Sequence, residues 1–239
     1  MSSFPVIRTT SPSAATAART FFDDADYALY RDLLAEHCRA AAVEVWAWCL
    51  MPNHVHLILV PSDADGLRRA LARVHRRYAG VIQARRKRSG HFWQGRFGAV
   101  VMDEEYLAAA MRYVALNPVR ARLVARAQAW RWASTRAHLS GKDDGITALA
   151  PIRERFPDFA DLIASEPEAD LFDRLRAAES IGRPLGDDRF LGRIERRTGR
   201  TLKTWQARAE AGGEGLSKAN GTKSKIKCTV TPSSSSQLS

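Results

Sequence analysis

The sequence predicts an α+β fold: an antiparallel sheet with helices on one face, followed by a helical extension and bounded by disordered termini. Three observations carry this. "VEVWAWCL" and "HVHLILVP" have strand composition and are joined by "MPN", whose Pro and Asn suit a turn, so the pair reads as a hairpin. The segments on either side of this hairpin repeat apolar residues at helical spacing. Beyond them "HFWQGRFGAVVM" reads as a strand that runs into Asp103, a good N-cap for "EEYLAAAMRYVALN".

In chain order, residues 1–20 are rich in Ser, Thr, Ala and Pro without a period and predict no ordered element. From Asp23 to Ala41, Tyr27, Leu29, Tyr30, Leu33, Leu34 and His37 recur at helical spacing behind the acidic start "DDAD", which suits the positive end of a helix dipole. After the hairpin, Leu67, Leu71, Val74, Tyr78 and Val81 mark the inner face of a second helix ending near "RRKRSG". In the last helix of this set, Leu107, Met111 and Val114 form the apolar stripe, and Pro118 is expected to stop it. The order helix, strand, strand, helix, strand, helix fits a ferredoxin-like layer, which also needs a strand before the first helix; none is evident. Residues 137–205 read as a helical extension and 206–239 as a low-complexity, disordered tail.

The chain of 239 residues is long enough to bury a core without disulfides or a structural metal. Cys38, Cys49 and Cys228 form no CxxC pair, which predicts a reduced, cytoplasmic chain, and no apolar run reaches membrane-spanning length. The net charge of +11 points to a polyanionic partner, nucleic acid foremost. The charge is focused: from Gly66 to Met102 there is no Asp or Glu, while Arg68, Arg69, Arg73, Arg76, Arg77, Arg85, Arg86, Lys87, Arg88 and Arg96 crowd in. Arg69, Arg73, Arg76, Arg77, Arg85, Arg86, Arg88 and Arg96 are the candidate phosphate-binding set, against a solvated helix face as the alternative. Trp93 and Phe92 are candidates either for stacking on a base or for the core.

His54 and His56 stand two apart on a strand, so both imidazoles project from one face while Val55 points to the other. That spacing makes a two-ligand platform for a divalent cation; ordinary sheet histidines hydrogen-bonded to neighbours are the alternative. Tyr113 and Asn117, four apart in a helix, share a face and can bring a phenol and an amide to one ion.

The segments "FFDDADYALYRDLLAE", "WCLMPNHVHLILVPSDADGL", "SGHFWQGRFGAVVMDEEYLAAAMRYVALNPVRARLV" and "WRWAST", spanning residues 21–136, resemble the IS200-like single-tyrosine HUH transposases, and within them the REP-associated tyrosine transposases. The combination of HxH, the arginine-rich helix and "RYVALNPVRA" carries the resemblance. It implies a ferredoxin-like domain acting on single-stranded or hairpin DNA with Mg²⁺ or Mn²⁺, as a monomer or homodimer. His54 and His56 would be the HUH metal ligands, Asn117 a third ligand, and Tyr113 the nucleophile that forms a 5′-phosphotyrosine. A non-catalytic hairpin-DNA-binding protein derived from such a transposase is the alternative. The family opens with a strand carrying a "HHVTxRG"-like stretch, where this chain has "RTTSPSAATAART".

Overall fold

A computed structural model describes residues 4–10, 19–93, 98–165 and 183–199, with single positions at 172, 174, 175 and 201. Among these, β1 (Phe4–Thr10), α1 (Asp24–Ala40), β2 (Val43–Met51), β3 (His54–Pro61), α2 (Gly66–Arg86), β4 (Gly98–Met102) and α3 (Glu104–Arg120) follow one another. The sheet order is β2-β3-β1-β4, with every pairing antiparallel. This is the ferredoxin-like arrangement, in which β3 returns between β1 and β2.

The strand that the sequence did not reveal is present. β1 is central, paired to β3 from Val6↔Ile58 to Thr10↔His54 and to β4 from Phe4↔Met102 to Arg8↔Gly98. The expectation of no order in the first twenty residues is therefore corrected over 4–10. Pro5 explains the miss: a proline cannot donate to a ladder and argues against a central strand.

β2 and β3 alternate their side chains between two cores. Val45, Trp48, Leu50, Val55, Leu57 and Leu59 face α1 and α2, joined by Tyr30, Leu34, Leu71, Val74 and Tyr78. Each such side chain removed from water contributes about 1.5–3 kcal/mol of hydrophobic stabilisation. Trp46, Cys49, Met51 and Ile58 face the opposite way, toward Leu107, Met111 and Val114 of α3. A register shift between Val45 and Ala47 resets the alternation of β2 at Trp46. Thus α1 and α2 share one face, and α3 supplies a further layer on the other.

Both outer strands are covered. Beside β2, the "WRWAS" stretch docks through Leu50 N–H to Trp132 O (2.9 Å) and Ser134 N–H to Trp48 O (2.9 Å), and Trp130 Nε1 donates to Leu50 O. Beside β4, Leu185 N–H donates to Val101 O at 2.8 Å, and Asp103 N–H donates back to Leu185 O at 3.1 Å. Sheet edges left bare invite pairing with other chains, so these segments protect the fold.

Three details of the elements differ from expectation. In α2 the buried residue after Tyr78 is Ile82, and Val81 is 48 % exposed. β4 begins at Gly98, while Phe92 and Trp93 pack on the core, Trp93 Nε1 donating to His75 O at 3.0 Å. Pro118 lies inside α3, which runs on to Arg120. The extension contains α4 (Thr135–Ser140), α5 (Ala150–Arg155), α6 (Phe159–Ala164) and α7 (Asp188–Thr198). The tail expected at 206–239 lies outside the described residues. No helix among the described residues is long and apolar enough to cross a membrane.

Candidate active site

His54 opens β3 and His56 follows on the same face, opposite Cys49 of β2. Their rings meet edge to face with centroids 4.6 Å apart, and the two Nε2 atoms are 2.9 Å apart. His56 is fully buried, while His54 is half-buried. From the far layer, α3 aims Tyr113 and Asn117 at this pair. Asn117 Nδ2 is 3.0 Å from His56 Nε2, and the Tyr113 ring stands edge-on to the His56 ring at 5.1 Å. The i, i+4 relation on a helix and the i, i+2 relation on a strand thus converge at one point.

The polar atoms there, two imidazole nitrogens and a carboxamide, are a donor set of the kind that holds a divalent cation. Asn53 Oδ1 lies 2.7 Å from His54 Nδ1, and in the tautomer that carries the proton on Nδ1 the His54 Nε2 lone pair faces His56. A single proton on His56 Nε2 cannot serve both His54 Nε2 and the Asn117 amide, each about 3 Å away. With no proton there, two ring lone pairs face one another. A cation among the three groups relieves either conflict, and the Asn117 amide has an oxygen to offer by rotation. Among the described residues no group of three or more His, Cys, Asp and Glu is arranged to hold a metal, so Asn117 is the candidate third donor.

Tyr113 is 4 % exposed, and Phe172 lies against its ring at 5.6 Å. Tyr106 sits two turns away, its hydroxyl 3.3 Å from Arg174 Nη1 and in no described contact with the histidines. The structure therefore brings Tyr113, Asn117, His54 and His56 together and leaves Tyr106 apart.

The arginines divide. Arg69 is paired with Asp63 at 2.6 Å, Arg77 with Glu36 at 3.0 Å, and Arg85 with the buried Asp26 at 2.8 Å. Arg86 lies 4.0 Å over the Phe22 ring. The side chains of Arg73, Arg76 and Arg88 have no hydrogen bond or ion pair among the described residues and are exposed. Arg96 lies outside the described residues. All of α2 packs on the α1 face, across the sheet from Tyr113. The acid-free window therefore overstated the free charge, because the acids that answer it come from elsewhere in the chain.

The comparisons with known proteins bear on this geometry. Residues 14–117 match the family model described as "Transposase IS200 like". The matched stretch holds both histidines and Tyr113 and ends on Asn117. No curated protein matches the chain. Among solved structures, the chain is similar to a REP-associated tyrosine transposase bound to a REP hairpin, with 17 % identity, 61 % of this chain and 82 % of that chain covered, and a TM-score of 0.47. It is also similar to a putative transposase from Deinococcus radiodurans R1, with 19 % identity, 47 % and 88 % covered, and a TM-score of 0.34.

Proposed function

We propose that this chain is a single-tyrosine DNA transposase or nickase that cleaves and rejoins single-stranded DNA through a 5′-phosphotyrosine. The observation that carries the reading is the convergence of Tyr113 and Asn117 from α3 on His54 and His56 from β3. Hairpin or REP-type DNA is the substrate class that the resemblance of residues 21–136 implies. His54 Nε2, His56 Nε2 and Asn117 Oδ1 would hold Mg²⁺ or Mn²⁺, which when bound supplies Lewis-acid polarisation of the scissile phosphate.

The remaining chemistry belongs to the chain. Tyr113 Oη attacks phosphorus, the P–O3′ bond breaks, the phenolic proton leaves to solvent and the departing 3′ oxygen takes up a proton. The products are a protein-linked 5′ phosphate and a free 3′-OH. Because one phosphodiester replaces another, a 3′-OH from a second end reverses the step without a nucleotide cofactor. His56 and Phe172, packed on the Tyr113 ring, restrict its rotation and hold the hydroxyl in a defined direction.

The test is a denaturing-gel assay with 3′-labelled hairpins carrying randomised single-stranded flanks, in Mn²⁺ or Mg²⁺ and in EDTA. Label that migrates with the protein only when a divalent cation is present is the expected result. Shifted but uncleaved DNA would instead support the non-catalytic binding protein. Cleavage without attached label would indicate a hydrolase that uses water in place of Tyr113.

A further inference from the structure

We propose that Arg120, which is absent from the arginine-rich helix and from the candidate set read from sequence, is the side chain that grips the scissile phosphate beside Tyr113. The assignment rests on the strand-cleavage reading above and adds a residue to it.

Arg120 is the last residue of α3, seven positions beyond Tyr113 and so nearly on the same face. Side chains on a helix lean toward its N-terminus, which carries the long arginine arm back over the preceding turns. Its guanidinium carbon accordingly lies 5.7 Å from the centroid of the Tyr113 ring and 4.7 Å from that of Phe172. The residue is nevertheless exposed, and among the described residues it makes neither an ion pair nor a hydrogen bond. Several other arginines of the described residues already have a partner. Arg69, Arg77, Arg85, Arg131 and Arg155 hold carboxylates, and Arg112 donates to Ser165 O. Arg122 and Arg126, next in the chain, are exposed and have no described ring contact with Tyr113 or Phe172. Among the described residues, Arg120 alone combines a ring contact with Tyr113 and unused donors.

That combination fits a phosphate. Two rings hold the guanidinium carbon in place, and with no hydrogen bond among the described residues its N–H fork is open to a bidentate acceptor. A phosphorus poised ~3 Å from the attacking oxygen presents non-bridging oxygens within reach of a guanidinium held this close to the ring. The charge on those oxygens grows during in-line displacement, so a donor fixed there favours the transition state over the bound strand. A lone structural role, as a cation at a helix C-terminus, would be met equally by lysine.

The test uses the full chain with Arg120→Ala and Arg120→Lys on a strand that the wild type cleaves, measuring single-turnover adduct formation, DNA affinity and Tm. Arg120→Ala is expected to slow adduct formation by roughly 100-fold or more while affinity changes by about threefold or less. Added guanidinium should restore part of the rate to Arg120→Ala, and Arg120→Lys should recover only a fraction of it. An Arg120→Ala rate within about threefold of wild type overturns the assignment alone. So does a loss that tracks Tm, is cured by Arg120→Lys and ignores guanidinium. Absence of any adduct with the wild-type chain overturns the cleavage reading and this assignment together.

Discussion

α2 and α3 pack on opposite faces of one sheet, and they solve opposite problems. α2 turns Leu71, Val74, Tyr78 and Ile82 inward and places its arginines outside, where Glu36, Asp63, Asp23 and Asp26 answer several of them. α3 also buries an apolar stripe, yet it turns Tyr113 and Asn117 toward two histidines on the sheet. The basic face is conspicuous in the sequence and partly neutralised in the fold. The candidate catalytic face is inconspicuous, built from four side chains drawn from two elements. Charge density therefore points to the partner, and convergence of unlike groups points to the chemistry.

The largest expected effect separates the two tyrosines of α3. Tyr113→Phe should abolish the covalent DNA adduct with folding and binding near wild type, whereas Tyr106→Phe should still form it; a gel of trapped adducts reads both. Next come the histidines. His54→Ala and His56→Ala should each remove cation-dependent cleavage while DNA affinity falls little, and retained cleavage in both would remove the metal assignment. The two differ in stability: burial of His56 makes its loss cost about 1–3 kcal/mol, and half-exposed His54 should cost less, as denaturant titration would show.

On the α2 face, burial pushes the His75 imidazole down to about 4 from 6.5, and its Nε2 is 3.1 Å from the Tyr30 hydroxyl. In the unfolded chain the same ring takes a proton near 6.5, so between those values the unfolded state binds more protons. Stability present above pH 6.5 should be lost as pH falls toward 4. His138, lowered by burial, acts in the same direction. His75→Gln should flatten this dependence; an unchanged slope of unfolding free energy against pH would contradict it.

The smallest effects lie among the arginines. Arg73→Ala and Arg76→Ala, which remove unpaired charges, should each lower the slope of log affinity against log salt by about one, and Arg77→Ala, whose charge Glu36 already meets, by less. Equal changes at all three positions would show that intramolecular pairing does not set which arginines meet DNA.

What the sequence revealed follows the same division. Period-two alternation placed His54 and His56 on one face, and helical spacing placed Tyr113 beside Asn117, because both relations are local. The hairpin, α1 and the start of α3 were legible for the same reason. β1 was not, since Pro5 and a Ser/Thr-rich context hide a strand whose place is fixed by pairing on both sides. Val81 and Ile82 fit the helical period equally well, and only packing chooses Ile82. Pro118 lies in the last turn of α3 with its ring buried, and the helix ends two residues beyond it at Arg120, so the proline marks the end of α3 without stopping it at Asn117. Arg120 escaped notice because nothing local marks it; its relation to Tyr113 depends on the arm folding back and on Phe172 from the extension.

The most direct measurement of the central claim is peptide mapping of the adduct formed by the wild-type chain on a 3′-labelled strand. Trypsin separates the two candidates, placing Tyr106 in "FGAVVMDEEYLAAAMR" and Tyr113 in "YVALNPVR". The nucleotide is predicted on the second peptide, at Tyr113. Its recovery on the first, or on any peptide outside α3, would contradict the account.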